Sequence, residues 1–194
     1  MNRIAVIVGH PDPRSFCAAL AGAYAEGARA AGAEVRLINL GELSFDPVLH
    51  QGYHENQPLE PDLLAAQEAI RWAEVLVFAY PNWWGTVPAL LKGFLDRALL
   101  PGFAFKYREN SRFWDRLLAG RRGRLLVTTD TPGWYYRTVI RAPGHHMMRR
   151  AVLGFSGVKP VRTAVFGPVR GSDPTTRERW LARAAAVGGN DAAR

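Results

Sequence analysis

The sequence predicts a doubly wound α/β fold, a five-stranded parallel sheet with helices on both faces and, by analogy with open sheets of this kind, strand order 2-1-3-4-5. Three observations carry the prediction. Five short apolar runs, residues 4–8, 34–40, 75–79, 123–129 and 160–166, have the length and β-branched content of strands. Segments of helical periodicity lie between them, so each connection is a right-handed crossover. Glycine, proline and aromatic residues crowd the stretches that leave the first, third and fourth runs, and the carboxyl edge is where open α/β sheets bind ligands.

A chain of 194 residues with 48% apolar content suits one domain, expected over residues 1–188, with residues 189–194 as a frayed tail after Gly188-Gly189. The single cysteine, Cys17, rules out an intrachain disulfide and fits a reducing cytoplasm. The run at residues 4–8 is too short for the apolar core of a signal peptide, and no stretch approaches the ~20 residues of a membrane span. The formal charge of +8 is spread along the chain with only short pairs such as Arg121-Arg122. Without a recognition motif it predicts neither nucleic-acid binding nor membrane insertion, but an attraction for anionic nucleotides.

After the first strand, Gly9-His10-Pro11-Asp12-Pro13-Arg14-Ser15 leads into helical spacing at Phe16, Ala19, Leu20, Ala23 and Tyr24. Ser15 therefore stands at a helix start, where its hydroxyl either caps the helix or meets an anion, with His10 and Arg14 as further donors. The second strand completes a βαβ unit. Residues 41–61 have no period and form a long surface loop. His50 and His54 are spaced i,i+4 there, but Gly52 intervenes and no third ligand follows, so no metal site is expected. A helix over residues 63–73 leads into the central strand.

That strand ends in Tyr80-Pro81-Asn82-Trp83-Trp84-Gly85-Thr86-Val87-Pro88. Helical spacing resumes at Val87, Leu90, Leu91, Phe94 and Leu95, with Thr86 as the expected cap. Adjacent tryptophans on such a loop can floor a planar ligand or plug the core, and Gly85 lets the backbone approach closely. Phe103, Phe105 and Tyr107 alternate, so an extended segment would present three rings on one side. The fourth strand runs into a second aromatic loop, Asp130-Thr131-Pro132-Gly133-Trp134-Tyr135-Tyr136. A helix near residues 147–157, the fifth strand and a last helix over residues 175–187 finish the chain.

Other chemistries lack their residues. A cysteine phosphatase loop needs arginine six positions after the nucleophile, and Cys17 is followed there by Ala23. A receiver aspartate would occupy the end of the central strand, where Tyr80-Pro81 stands, and no Gly-x-Gly-x-x-Gly or Walker lysine follows the first strand.

The string from Tyr80 to Phe94 resembles the hallmark of the flavin-dependent NAD(P)H:quinone oxidoreductases of flavodoxin-like fold, among them bacterial drug-activity modulators and potassium-efflux ancillary oxidoreductases. Gly9-His10-Pro11, Ser15-Phe16, Phe103-Ala104-Phe105-Lys106-Tyr107 and Thr128-Thr129 extend the resemblance over nearly the whole chain. It implies FAD, with FMN as the alternative. The flavin phosphate would sit at the Ser15 helix start and the ring against Pro81 to Gly85 and Thr128 to Thr131. By the same resemblance His10, Ser15, Phe16, Pro81, Asn82, Trp83, Trp84, Gly85, Thr128 and Thr129 fall on flavin-binding positions, and Arg177 on one that reaches the adenosine end of FAD. Cys17 and Asp130 are flavin-binding positions too, though they stand where the family usually has asparagine and glycine, and no residue matches the active-site histidine of the mammalian members. Tyr136 would line the flavin side that becomes negative on reduction, and Tyr107 would wall the site of a neighbouring subunit in a homodimer. The implied activity is hydride transfer from NADPH or NADH and delivery of two electrons to a quinone or similar acceptor by a ping-pong route. The alternatives are a flavodoxin-type electron carrier and a regulatory flavoprotein partner of a membrane transporter.

Overall fold

The computed structural model describes residues 2–193. Five strands, β1 (Arg3–Val8), β2 (Glu34–Asn39), β3 (Val75–Pro81), β6 (Arg122–Thr128) and β7 (Val161–Phe166), form one parallel sheet in the order β2-β1-β3-β6-β7. This is the expected 2-1-3-4-5 order, because β4 (Phe105–Tyr107) and β5 (Trp114–Arg116) form a separate antiparallel hairpin. All seven residues of β3 are buried, as the middle strand of a sheet covered on both faces requires.

Side-chain alternation divides the core in two. Ala5, Ile7, Leu76, Phe78, Tyr80, Leu125 and Val127 pack with Leu63 and Ile70 of α2 (Pro61–Trp72) and with Leu91, Phe94 and Leu95 of α3 (Ala89–Ala98). The intervening residues Ile4, Val6, Val8, Val75, Val77, Ala79 and Leu126 pack with Leu20, Ala21 and Tyr24 of α1 (Phe16–Ala30) and with Ala184 of α6 (Pro174–Ala192). Between β6 and β7 lie the short α4 (Gly133–Thr138) and α5 (Pro143–His146), the latter continued by a wider π-helical stretch, Met147–Gly154.

Several expectations are corrected. The helix after the central strand starts at Ala89 with Pro88 at its cap position, because the main chain of Thr86 pairs with Trp83 in a tight turn and its hydroxyl is given to Met147 Sδ at 3.8 Å. Only two of the three alternating aromatics share a side: Phe105 and Tyr107 meet edge-on with ring centroids 5.4 Å apart, Phe105 also packing on Phe155 at 4.9 Å, whereas Phe103 belongs to the core. Of the tail expected over residues 189–194, residues 189–192 are helical, since α6 continues through Gly188-Gly189 to Ala192, and Arg194 lies outside the described residues. Gly188 has no room for a Cβ against the Tyr24 carbonyl, so the glycine that looked like a stop allows α1 and α6 to touch.

Buried ions hold the outlying pieces. Arg97, with no exposed surface, donates to the carbonyls of Asp46 and Pro58 and pairs with Glu60 at 2.9 Å, so the long loop before α2 is wrapped round one guanidinium. At the far end of the sheet Asp191 receives Arg124 Nε at 2.7 Å and Nη2 at 2.5 Å, and the Tyr24 hydroxyl at 3.0 Å. Removing one partner of such a buried pair strands the other charge, so Asp191→Ala is expected to lower unfolding stability by about 3–5 kcal/mol. Urea denaturation measures it, with a smaller loss expected for the double variant Arg124→Leu/Asp191→Leu, which removes both charges.

Candidate active site

The site is built where β1, β3 and β6 end. Main-chain bonds stitch the departing loops together: Gly9 N–H to the Ala79 carbonyl at 2.8 Å, Asn82 N–H to Thr128 at 2.7 Å and Thr129 N–H to Phe166 at 3.0 Å. Between them opens a crevice of about 230 Å³. His10, Ser15, Phe16 and Cys17 line one side, Pro81 and Trp83 a second, and Thr128, Thr129 and Asp130 a third. All nine were singled out in the sequence. Val169 also lines the crevice and was not, because it comes from the loop after the fifth strand, and no motif marks that loop.

Ser15 caps α1, its Oγ accepting from the Ala18 N–H at 3.3 Å, while the Ser15 carbonyl accepts from Ala19. The first N–H groups of a helix have no partner within it, and those of Phe16 and Cys17 stand at the crevice with the positive end of the helix dipole behind them. His10 Nδ1 lies 2.9 Å from the Asp12 N–H, which donates to it, and 3.1 Å from the Asp12 carbonyl, so the ring is fixed by the loop it belongs to. Its ring lies edge-on to Trp83 with centroids 5.4 Å apart. Burial pushes the Cys17 thiol up to about 11, with a contact of 3.0 Å to Thr128 Oγ1 opposing the rise. A thiol so placed stays protonated near neutral pH and is packing for the crevice, with no part as a nucleophile.

The tryptophan loop is a two-residue turn in which Trp83 and Thr86 exchange main-chain bonds at 3.1 and 2.9 Å. Trp84 at φ 52° and Gly85 at φ 78° are both left-handed, the conformation a type I′ turn needs and one that tryptophan rarely adopts. The outcome separates the two indoles. Trp83 stays against the crevice, whereas Trp84 is fully exposed at the turn tip. Asn82 lies behind the wall, its side chain 3.4 Å from Thr129 Oγ1.

The Tyr136 hydroxyl is committed to the Gly85 carbonyl at 2.9 Å, and the Gly144 N–H reaches the same oxygen at 2.9 Å. Tyr136 thus anchors the tryptophan turn and does not line the crevice; burial raises its hydroxyl, against the pull of the Gly144 and His145 N–H groups. Arg177 stands behind Phe16, its guanidinium 5.8 Å from that ring and Nε 2.9 Å from Ser172 Oγ. Asp130 accepts from the Arg170 N–H at 2.6 Å and so ties the fourth-strand loop to the fifth. Tyr107 is elsewhere, on a hollow of about 530 Å³ with Tyr53, Leu95, Leu99, Val152 and Phe155. That hollow is larger and more apolar, but no helix start opens into it.

His145 packs edge-on against Tyr136 at 5.1 Å, its buried Nε2 without a partner among the described residues. Burial, and then Arg137, Arg149 and His146, hold the ring below the ordinary imidazole range. The unfolded chain therefore takes up a proton here first, and stability is expected to fall as pH drops from ~7 through the unfolded value near 6.5 toward the lower folded one. Urea midpoints measured across that window should fall more steeply for the natural protein than for His145→Gln; parallel curves would assign the loss to another group.

A sequence model of the flavodoxin-like fold family matches residues 2–187. An NAD(P)H oxidoreductase of Haemophilus influenzae, itself uncharacterised, is 27% identical over 189 residues, covering 95% of this chain and 93% of that protein. A ribosyldihydronicotinamide dehydrogenase-like protein of Penicillium crustosum is 29% identical over 158 residues, or 68% of this chain and 58% of its own longer length. The solved NAD(P)H:quinone oxidoreductase of Methanothermobacter marburgensis superimposes with a TM-score of 0.81 at 27% identity, covering 97% of this chain and 98% of that one. With the strand order, the carboxyl-edge crevice and a match over nearly its whole length in agreement, the chain belongs to the flavodoxin-like fold family, and its relatives include the NAD(P)H:quinone oxidoreductases.

Proposed function

We propose that this protein is a flavin-dependent NAD(P)H oxidoreductase that delivers two electrons to a quinone-like acceptor by a ping-pong route. One observation carries the reading. The start of α1, with the Ser15 hydroxyl and the His10 ring, meets Pro81 and Trp83 in one crevice. That donor set fits a phosphate, and the walls fit a planar ring. The names carried by the relatives support the same chemistry.

A bound flavin supplies acceptance and release of hydride, and the chain positions and polarises. The α1 start and Ser15 would hold the phosphate, with the His10 ring beside them. Pro81, Trp83, Thr128 and Thr129 would bracket the ring, and the exposed Trp84 would form the lip that meets incoming substrates. Tyr136 acts through the Gly85 carbonyl it holds, which makes it a positioning residue. FAD is preferred to FMN because Arg177 matches the family position that reaches the adenosine end; here its guanidinium lies 5.8 Å from the ring of Phe16, which lines the crevice. Because both substrates would use one exposed face in turn, the order is double displacement. A single cysteine and the lack, among the described residues, of a helix long and apolar enough to cross a membrane support a cytoplasmic setting.

The absorbance spectrum of the purified protein, with chromatography of any released cofactor, tests the reading directly. Protein that carries no flavin and cannot be reconstituted with FAD or FMN would overturn it. Ser15 refines the test, since aspartate caps a helix as well as serine does. Ser15→Asp is expected to keep the fold while repelling the phosphate, and Ser15→Ala to cost about 1 kcal/mol of stability with the smaller loss of flavin.

The hollow beside Tyr107 supports a homodimer in which Tyr107 completes the neighbouring site. Tyr53, Tyr107 and Phe113 on this side of the molecule are 66, 62 and 70% exposed, an apolar surface of the kind that association covers. Mixed dimers of Tyr107→Ala subunits with subunits disabled at Trp83 and Trp84 decide the matter. Recovery to about half the natural activity is expected, because both lesions then fall in one of two sites. No recovery, or a monomer on sedimentation, would refute the arrangement.

A further inference from the structure

Charge along the chain is divided unevenly. Of 25 Lys and Arg residues, seven fall between Thr131 and Ser172, and none of the 17 Asp and Glu does, so this stretch carries nearly all of the formal charge of +8. Surface cations usually sit among carboxylates, as Lys92 and Arg108 do with Asp96 and Asp115. None of the seven side chains takes part in an ion pair with a described carboxylate.

The fold gathers part of this charge into a concavity. His146, Arg149 and Arg150 share one face of the α5 helix and its π-helical continuation, being spaced i, i+3, i+4. Lys159 faces them from the entry to β7, its stem lying over Gly154, where a side chain would come within 3.9 Å of the lysine Cε. Together with Pro160 and Val161 they line a groove of about 480 Å³, separate from the crevice. Arg149, Arg150 and Lys159 are all exposed there. The field extends beyond the groove: besides burial, the groups that depress His145 are Arg137, Arg149 and His146, with no acid among them.

We propose that this groove binds a small anion carrying two or more clustered phosphates. Three fixed cations and a histidine around a ligand-sized hollow match several negative oxygens at once, and arginine favours phosphate by its forked donors. A single carboxylate would leave most of these donors unused. A nucleic-acid duplex needs a longer face than this concavity offers. The phosphates can belong to a nicotinamide nucleotide, since Gly144, two residues before His146, is bonded to Gly85 beside the crevice, or to a separate small molecule. The groove itself does not depend on the flavin reading.

Calorimetric titration of the full chain at low ionic strength, with tripolyphosphate as probe, tests the proposal. Saturable binding at one site is expected, weakened at least ~10-fold by Arg149→Gln/Arg150→Gln. Lys159→Gln, on the opposite wall, should weaken it too and serves if the double variant misfolds. Arg112→Gln/Arg179→Gln removes the same charge elsewhere and should leave binding unchanged. Parallel titrations with NADPH and NADH separate the sources. A preference for NADPH that Arg149→Gln/Arg150→Gln abolishes assigns the phosphates to the nucleotide, and tripolyphosphate binding with no such preference assigns them to a separate molecule. Absence of saturable binding, or equal loss in both double variants, would overturn the proposal. So would tighter binding of a DNA duplex that both double variants weaken equally.

Discussion

The site depends on one carbonyl. Gly85 O accepts the Tyr136 hydroxyl and the Gly144 N–H, each at 2.9 Å, and so uses both of its lone pairs on segments more than fifty residues away in sequence. These bonds lock the tryptophan turn to α4 and to the start of α5. Any residue but glycine at position 144 would drive a Cβ to 2.7 Å from that oxygen and 2.9 Å from Thr86 Cα. The left-handed strain at Trp84 persists because neighbours on both sides determine the turn. With the turn held, Trp83 faces His10 and the crevice has its second wall.

Elsewhere the same economy recurs with charge in place of a carbonyl. Arg97 gives an otherwise aperiodic loop a guanidinium on which four of its oxygens close, and Arg124 with Asp191 clasps the last helix to the sheet. A buried ion is a weak source of net stability but a strict one of position, because misplacement leaves a bare charge in a medium of low dielectric. Helices alone would pack on this sheet in several ways. The buried polar groups select one.

Electrostatics also divides the molecule by task. At the crevice the positive element is the start of α1, a partial charge that acts only at close range. Along α5 and the entry to β7 it is a row of full charges open to water. The main chain links the two regions, since the Gly144 N–H, two residues before His146, is bonded to Gly85 of the tryptophan turn.

The five strands of the parallel sheet, the long helices between them and the carboxyl-edge position of the crevice were legible in the sequence, because apolar periodicity reports which face of an element is buried and a parallel sheet needs crossovers. The β4–β5 hairpin and α4 read as loops there, since three to six residues are too few to show a period. The Ser15 helix start and the Tyr80 to Pro88 string were legible for the same local reason: caps, turns and prolines act within a few residues. What the sequence could not convey depends on partners distant in the chain. Thr86 has the chemistry of a cap and is spent on Trp83, and Gly188 has that of a terminator and serves as a contact for Tyr24. Tyr136 could have aimed its hydroxyl at a ligand until the fold brought the Gly85 carbonyl to it, and Val169 had no role until β7 delivered its loop to the crevice. Local chemistry thus determined the elements and the residue types at the site. Tertiary structure alone decided which donor meets which acceptor, since a hydrogen bond is made or lost within half an ångström, and only the packed sheet sets distances that finely.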